Sequence, residues 1–202
     1  MTQFSMKWLE KEVLPYFFYD VNKIQCSENN YAALFYHHLL TSGLSFNQVC
    51  REMYIEDTKK RPDIAVFSKE LNGRFSLYQN GDKDNSNTAL KFECIDALIE
   101  MKGACHGEKQ SLDKFYELVK DIEKLKYWRS FFNGKGDYIF LAINLSWLSK
   151  SILREKIEEL ATKSFEANIS FVYFSQGNSS FDLWQAGDLT CRKNEIINRR
   201  ID

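Results

Sequence analysis

The sequence lacks three features that would assign a protein class at once: an excess of charge of one sign, paired cysteines and a long apolar run. Lys and Arg together number 27 and Asp and Glu 28, which gives a formal net charge of -1. A protein that coats nucleic acid by bulk electrostatics carries a large positive charge, so the balance argues against that class. A local basic strip would still be compatible with this composition.

The five cysteines form no C-x-x-C pair, and their odd number is typical of reduced thiols in the cytosol. We interpret them as small core residues. No stretch approaches the roughly 18 uninterrupted apolar residues of a membrane span, and the first residues lack a basic region followed by an apolar run. We therefore expect a soluble, cytoplasmic protein that makes no contact with a membrane.

The chain has the length and composition of one domain. Its 202 residues are 44% apolar and 15% aromatic, which is enough to bury one substantial core. No internal repeat is visible. We predict a single domain over residues 1–202, with N-terminal helices at 1–42, a central core at 43–145, a helix and strand extension at 146–186 and a polar tail at 187–202.

The periodicity of apolar residues predicts a mixed α/β protein. Spacings of three and four residues predict helices at about 3–19, where Pro15 interrupts the helix late, then 27–43, 112–128 and 147–163. Short apolar or alternating runs predict strands at 64–67, 90–101, 138–145 and 169–174, with weaker candidates at 46–55, 74–78 and an edge strand at 181–184. A strand, helix, strand succession implies a right-handed crossover and parallel neighbours.

Two short charged clusters border these apolar strands. Asp63 stands directly before the run 64–67, and Glu100, Met101 and Lys102 close the longest predicted strand. Strand residues two apart face the same side, so Glu100 and Lys102 would project together beside Asp63. Two carboxylates brought close repel each other and favour a hard cation such as Mg²⁺ between them.

The order of predicted elements around these clusters is helix, strand, Asp-bearing strand, Glu-x-Lys strand, helix and strand. Together with the clusters, this order resembles the PD-(D/E)xK nuclease superfamily, the fold of many restriction endonucleases. The matching residues are Pro62-Asp63 and Glu100-Met101-Lys102. The resemblance covers roughly residues 28–145 and includes a turn-rich insertion at 68–91. It implies a restriction endonuclease-like core, in which helices flank a mixed central β-sheet.

The resemblance implies Mg²⁺-dependent hydrolysis of phosphodiester bonds in DNA, with Mn²⁺ as a substitute. Asp63 and Glu100, with the main-chain carbonyl of Met101, would hold the ion, which lowers the pKa of a bound water. Lys102 would orient or deprotonate that water, or stabilise charge on the phosphorus. Glu28 begins a helix that in many members supplies a further acid; as an alternative, it would only complement the helix dipole.

The same resemblance implies a role in bacterial restriction or phage defence. A compact domain with no appended recognition module would need a homodimer to cut both strands, or a partner protein to bring it to DNA. Three alternatives stay open. The chain could be a catalytically silent nuclease-fold subunit, a scaffold in a larger nucleic-acid-processing or defence complex. It could also be an α/β protein that binds a small ligand, in which case Asp63, Glu100 and Lys102 need not converge, or the charges could form a structural salt bridge at a strand end.

Other polar residues fit the same site less well. Asp96 shares a strand face with Glu100 but would lie about 13 Å away, too far for the same ion. His37 and His38 point about 100° apart on a helix, so we expect one to be half-buried and the other exposed. His106 has no zinc-ligand spacing around it. For Lys124, on a lysine-rich helix, we favour a solvated face over contact with DNA.

Overall fold

The structure is a computed structural model that describes residues 2–24, 27–52, 61–68, 95–103, 112–144 and 150–198. Its helices are α1 (Met6–Trp8), α2 (Leu14–Val21), α3 (Glu28–Thr41), α4 (Leu112–Phe131) and α5 (Lys150–Glu166), and a π-helical segment, Leu9–Val13, joins the first two. Its strands are β1 (Val49–Arg51), β2 (Ile64–Phe67), β3 (Ile95–Gly103), β4 (Asp137–Asn144), β5 (Ser170–Ser175), β6 (Ser180–Trp184) and β7 (Arg192–Glu195).

The strands form one sheet in which they pair in chain order, from β1 to β7. β3, β4 and β5 are parallel, and all the other neighbours are antiparallel. Helix α4 lies on the connection from β3 to β4, and α5 on the next connection. Because both crossovers step in the same direction, equal handedness brings both helices to one face of the sheet. The mixed sheet flanked by helices that the sequence predicts is confirmed.

Both faces of the sheet are buried, which explains why its central strands are almost continuously apolar. On one face, Phe17 of α2 and Phe35 of α3 belong to a core that includes Ile99 of β3. On the other face, Trp128 of α4 belongs to a second core with Leu98 of β3. The sheet is therefore the middle layer of three.

The alternation along β3 decides which layer each of its side chains meets. Ile99 and Met101 belong to the core beneath α2 and α3, whereas Leu98 belongs to the core beneath α4. With a period of two, Glu100 and Lys102 share the α4 face with Leu98. Two charged residues therefore face a helix from the end of β3 that follows its apolar centre, Ala97 to Ile99.

Most of the predicted helices and strands are confirmed, with boundaries shifted by a few residues. Pro15 does not interrupt the first helical stretch, because the π-helical segment precedes it. Pro15 then lies in the first turn of α2. A proline is tolerated there because its missing N–H has no partner within the helix in any case.

The C-terminal end of the sheet differs from the prediction. The strand at 181–184 was expected at an edge, and the tail at 187–202 without a core-forming pattern, but β7 pairs with β6 and makes it internal. The residues of β7 are polar and only partly buried, and main-chain hydrogen bonds hold the strand. A strand of this kind has no apolar period that a sequence could reveal. Arg192 also anchors it by an ion pair with Glu10 at 3.1 Å.

Some predicted features lie outside the described residues: the strand at 74–78, most of the insertion at 68–91, residues 91–94 of the longest predicted strand, and His106. In the described part of that strand, β3 begins at Ile95 and continues to Gly103. Within the ranges given above, no helix is both long and apolar enough to cross a bilayer.

The close approach of β3 and β4 gives a test of the fold. Gly136 has φ +78°, and a Cβ there would lie 2.9 Å from the carbonyl oxygen of Ile95 and 3.0 Å from that of Asp96. Gly134 has a similar φ of +71°, but a Cβ there would make only an ordinary contact, 3.7 Å from Arg129 Nη2. We expect G136A to lower the free energy of unfolding by about 2–4 kcal/mol and G134A by about 1 kcal/mol, measured by urea denaturation. Equal losses in the two variants would contradict this packing.

Candidate functional site

Asp63 lies where β2 begins and β3 continues past it. The last β2 pair in this direction is Ile64 with Ile99, so β3 has no β2 partner opposite Met101. The Met101 amide instead donates a hydrogen bond to Asp63 Oδ2 at 2.7 Å. The Asp63 carboxylate thus accepts the hydrogen bond that a neighbouring strand would otherwise accept. It lies beside Met101, the middle residue of Glu100-Met101-Lys102.

The next amide on the same edge of β3 is satisfied in the same way. The Gly103 amide donates to Glu28 Oε2, from the first residue of α3, at 3.3 Å. Strand residues two apart direct their amides to the same neighbour, so Asp63 and Glu28 occupy one side of β3 in succession. The Met101 carbonyl points to this side as well, because the N–H and C=O of one strand residue are directed to the same side of the strand.

Glu100 is the most deeply buried acid of the group, with a side chain 3% exposed. Its Oε2 accepts a hydrogen bond from Lys124 Nζ at 2.8 Å. Its Oε1 is buried and has no hydrogen-bond partner among the described residues. Burial and the neighbouring carboxylate of Asp63 raise the pKa of Glu100 to about 9, although the Lys124 ammonium opposes the shift. Burial also raises the pKa of Asp63, against the Met101 amide, which lowers it.

Lys102 is held by two acids from different helices. Its Nζ lies 3.4 Å from Glu28 Oε2 and 3.9 Å from Glu117 Oε2, on α4. Burial lowers the pKa of Lys102, but the surrounding carboxylates, Glu28 foremost, outweigh burial and raise it above its ordinary value. The Lys102 ammonium is therefore firmly protonated and only partly accessible.

Helix α4 contributes residues that the sequence analysis missed. Asp121 is close enough to be influenced by Lys102, Lys124 and Asp63, and burial raises its pKa to about 6. Asp121 and Lys124 lie on one face of α4 with the buried Trp128, at spacings of three and four residues. Charged residues in line with a buried tryptophan are the signal in the sequence that would have indicated a polar cleft.

The predicted solvated face is wrong for Lys124. Its side chain is only 21% exposed, and its Nζ is bonded to Glu100 Oε2. The same Nζ lies 5.0 Å from the centroid of the Trp128 ring. A carboxylate as buried as Glu100 is stabilised by a nearby positive charge. Lys124 of α4 supplies that charge. Lys126, on the outer side of the helix, is 59% exposed, as a solvated face requires.

The other candidates lie apart from this group. His38 is buried and its Nε2 lies 3.0 Å from Asp20 Oδ2, whereas His37 is exposed, which confirms the expected division between the two. Asp96 lies near the opposite end of β3, where burial and the nearby Asp137 raise its pKa. Neither histidine nor Asp96 takes part in the contacts around Glu100.

We call the following residues the charged cluster: Glu28, Asp63, Glu100, Lys102, Glu117, Asp121 and Lys124. In the ranges that the structure describes, no three Asp, Glu, His or Cys side chains are arranged as a metal site. The reason is visible in the contacts, since Asp63 bonds to an amide, Glu100 to Lys124 and Glu28 to Lys102. The oxygens that a hard cation prefers are present, but in this arrangement Asp63, Glu100 and Glu28 are bonded to internal partners.

The burial of Glu100 predicts how stability depends on pH. The pKa of Glu100 in the folded chain, about 9, lies above its ordinary 4.5. The stability that this carboxyl contributes is therefore complete below pH 4.5 and is lost as the pH rises through about 9. In E100Q the residue cannot ionise and still accepts a bond from Lys124. We expect E100Q to exceed wild type by roughly 1–3 kcal/mol near neutral pH, with a gap that widens as the pH rises.

Thermal unfolding of wild type and E100Q in EDTA, from pH 4.5 to about 9, measures the difference in stability between them. The matched control is E123Q, since Glu123 is an acid of the same helix with a 61% exposed side chain. E123Q should follow wild type at every pH. A gap between E100Q and wild type that stays constant or narrows with rising pH would show that Glu100 is not destabilised by its surroundings.

Comparisons with known proteins identify no relative: no family model, no curated protein and no solved structure matches the chain.

Proposed function

We propose that this chain is a metal-dependent phosphodiesterase that cuts DNA and that it has the restriction endonuclease-like core of the PD-(D/E)xK nucleases. The hydrogen bond from the Met101 amide to Asp63 carries the proposal, because it joins the two halves of the motif, far apart in sequence, at one place. The element order supports it too: α3, β1, β2, β3, α4 and β4 follow the order on which the resemblance rests.

The donor set in the charged cluster is suited to a hard cation. The carboxylates of Asp63 and Glu100 and the carbonyl of Met101 are oxygen ligands of the kind that Mg²⁺ and Mn²⁺ prefer. Glu100 Oε1 is a buried acceptor without a partner in the described chain, a state that usually has a functional reason. When bound, the ion would polarise a phosphate oxygen and lower the pKa of an attached water.

Lys102 has the properties of an electrostatic stabiliser. A general base must first lose its proton, and the raised pKa of Lys102 opposes that loss. A protonated ammonium held by Glu28 and Glu117 can orient a water and stabilise negative charge that develops on the phosphate. Of the roles that the sequence left open for Lys102, charge stabilisation is thus favoured, and Glu28 positions the ammonium.

A catalytically silent scaffold is the second candidate. The ion pairs of Glu28 with Lys102 and of Glu100 with Lys124 favour it, because they neutralise the acids without an external cation. For either candidate, the proposal extends to bacterial restriction or phage defence in the cytoplasm. The near-neutral net charge of the chain makes a homodimer or a partner protein the means of holding DNA.

The first test is cleavage of plasmid and single-stranded DNA in Mg²⁺, Mn²⁺ or EDTA. We expect wild type to cut with either metal and not in EDTA, and D63A and K102A to lose about 100-fold or more in rate, because D63A removes a ligand of the metal and K102A removes the positive charge that stabilises the reacting phosphate. E123Q, which changes an exposed acid of α4, should retain full activity. Metal-dependent cleavage that survives both D63A and K102A would reject this active site. No cleavage by wild type would favour the scaffold.

A further inference from the structure

The Lys124 ammonium occupies the position of a counter-cation inside the charged cluster. Its Nζ lies 2.8 Å from Glu100 Oε2, one of the two oxygens that Glu100 could offer to a metal. The Glu100 side chain is 3% exposed and that of Lys124 is 21% exposed, so the pair is largely shielded from solvent. An ion bound by this carboxylate would have to displace the ammonium or share the carboxylate with it.

The charge of Lys124 acts on more than Glu100. It lowers the pKa of Glu100, of Asp63 and of Asp121, each of which burial raises. One ammonium thus partly neutralises three acids that would otherwise repel one another. A divalent cation between Asp63 and Glu100 would neutralise the same three acids. The cation and the Lys124 ammonium would then both lie beside Glu100 and would repel each other.

The two lysines of the cluster are placed differently. Lys102 pairs with Glu28 and Glu117, at the rim, and makes no ion pair with Glu100. Lys124 has a long flexible side chain on α4, and its Nζ lies 5.0 Å from the centroid of the Trp128 ring. The ring contact can be kept when the ammonium shifts off Glu100. Each lysine is thus held by two groups, but of the two only Lys124 is bonded to Glu100.

We propose that Lys124 is a built-in counter-cation that competes with the metal for Glu100, so that the metal binds only as the Lys124 ammonium moves away. This inference rests on the proposed function, since it concerns the metal site of the proposed nuclease. It explains why the acids of the cluster lack the arrangement of a metal site among the described residues although their oxygens suit one. It assigns to Lys124 a positioning role, separate from the reaction itself.

The test measures Mn²⁺ binding by titration calorimetry, without DNA and therefore without activity as a readout. We expect K124M to bind Mn²⁺ about tenfold more tightly than wild type, because the competing charge is gone. K124Q serves as a second variant in case K124M does not fold, and circular dichroism checks both. The matched control K120M removes an exposed lysine of the same helix and should bind like wild type.

The outcomes separate the two proposals. If wild type binds Mn²⁺ as tightly as the Lys124 variants, or more tightly, the proposed competition is overturned. The proposed metal dependence would then stay intact. No binding by wild type or by any Lys124 variant would overturn both. Binding that appears or strengthens only in the Lys124 variants, and that D63N abolishes in the same background, is the result expected.

Discussion

The edge of β3 beyond Ile64 needs hydrogen-bond partners, and this need assembles the acids of the cluster. A buried amide without a partner costs free energy, and β2 does not reach far enough to supply one at Met101 or Gly103. Asp63 and Glu28 supply it instead, from two different elements. The same bonds that complete the strand therefore place two carboxylates beside Glu100 and Lys102.

This arrangement concentrates charge where the sheet is otherwise apolar. Burial raises the pKa of Asp63, Glu100 and Asp121 alike, which means that the fold opposes their ionised forms. Acids with strongly perturbed pKa values cluster at functional sites, and structural ion-pair networks perturb pKa values as well; in both cases the buried charges cost stability. Lys102 and Lys124 reduce that cost from opposite sides of the cluster. The cluster is thus balanced internally, yet one carboxylate oxygen of Glu100 stays without a partner in the described chain.

The sequence predicted the central strands because their apolar runs are dictated by burial on both faces. Asp63, Glu100 and Lys102 could be singled out for the same reason, as charges directly adjoining such runs. Lys124 and Asp121 were missed although they share a helix face with Trp128, because their partners depend on how α4 is rotated against the sheet, and the described part of this helix also carries the exposed Lys120 and Lys126. Strand β7 was missed because main-chain hydrogen bonds, rather than apolar side chains, hold it in the sheet.

The proposed function requires that Asp63 and Glu100 jointly bind a divalent cation. A crystal grown with Mn²⁺ and examined by anomalous diffraction tests this most directly. We expect one Mn²⁺ with oxygens of both carboxylates at about 2.1 Å, and Lys124 Nζ no longer within hydrogen-bond distance of Glu100. An ion-free cluster at saturating Mn²⁺, with the bond between Lys124 and Glu100 intact, would contradict it.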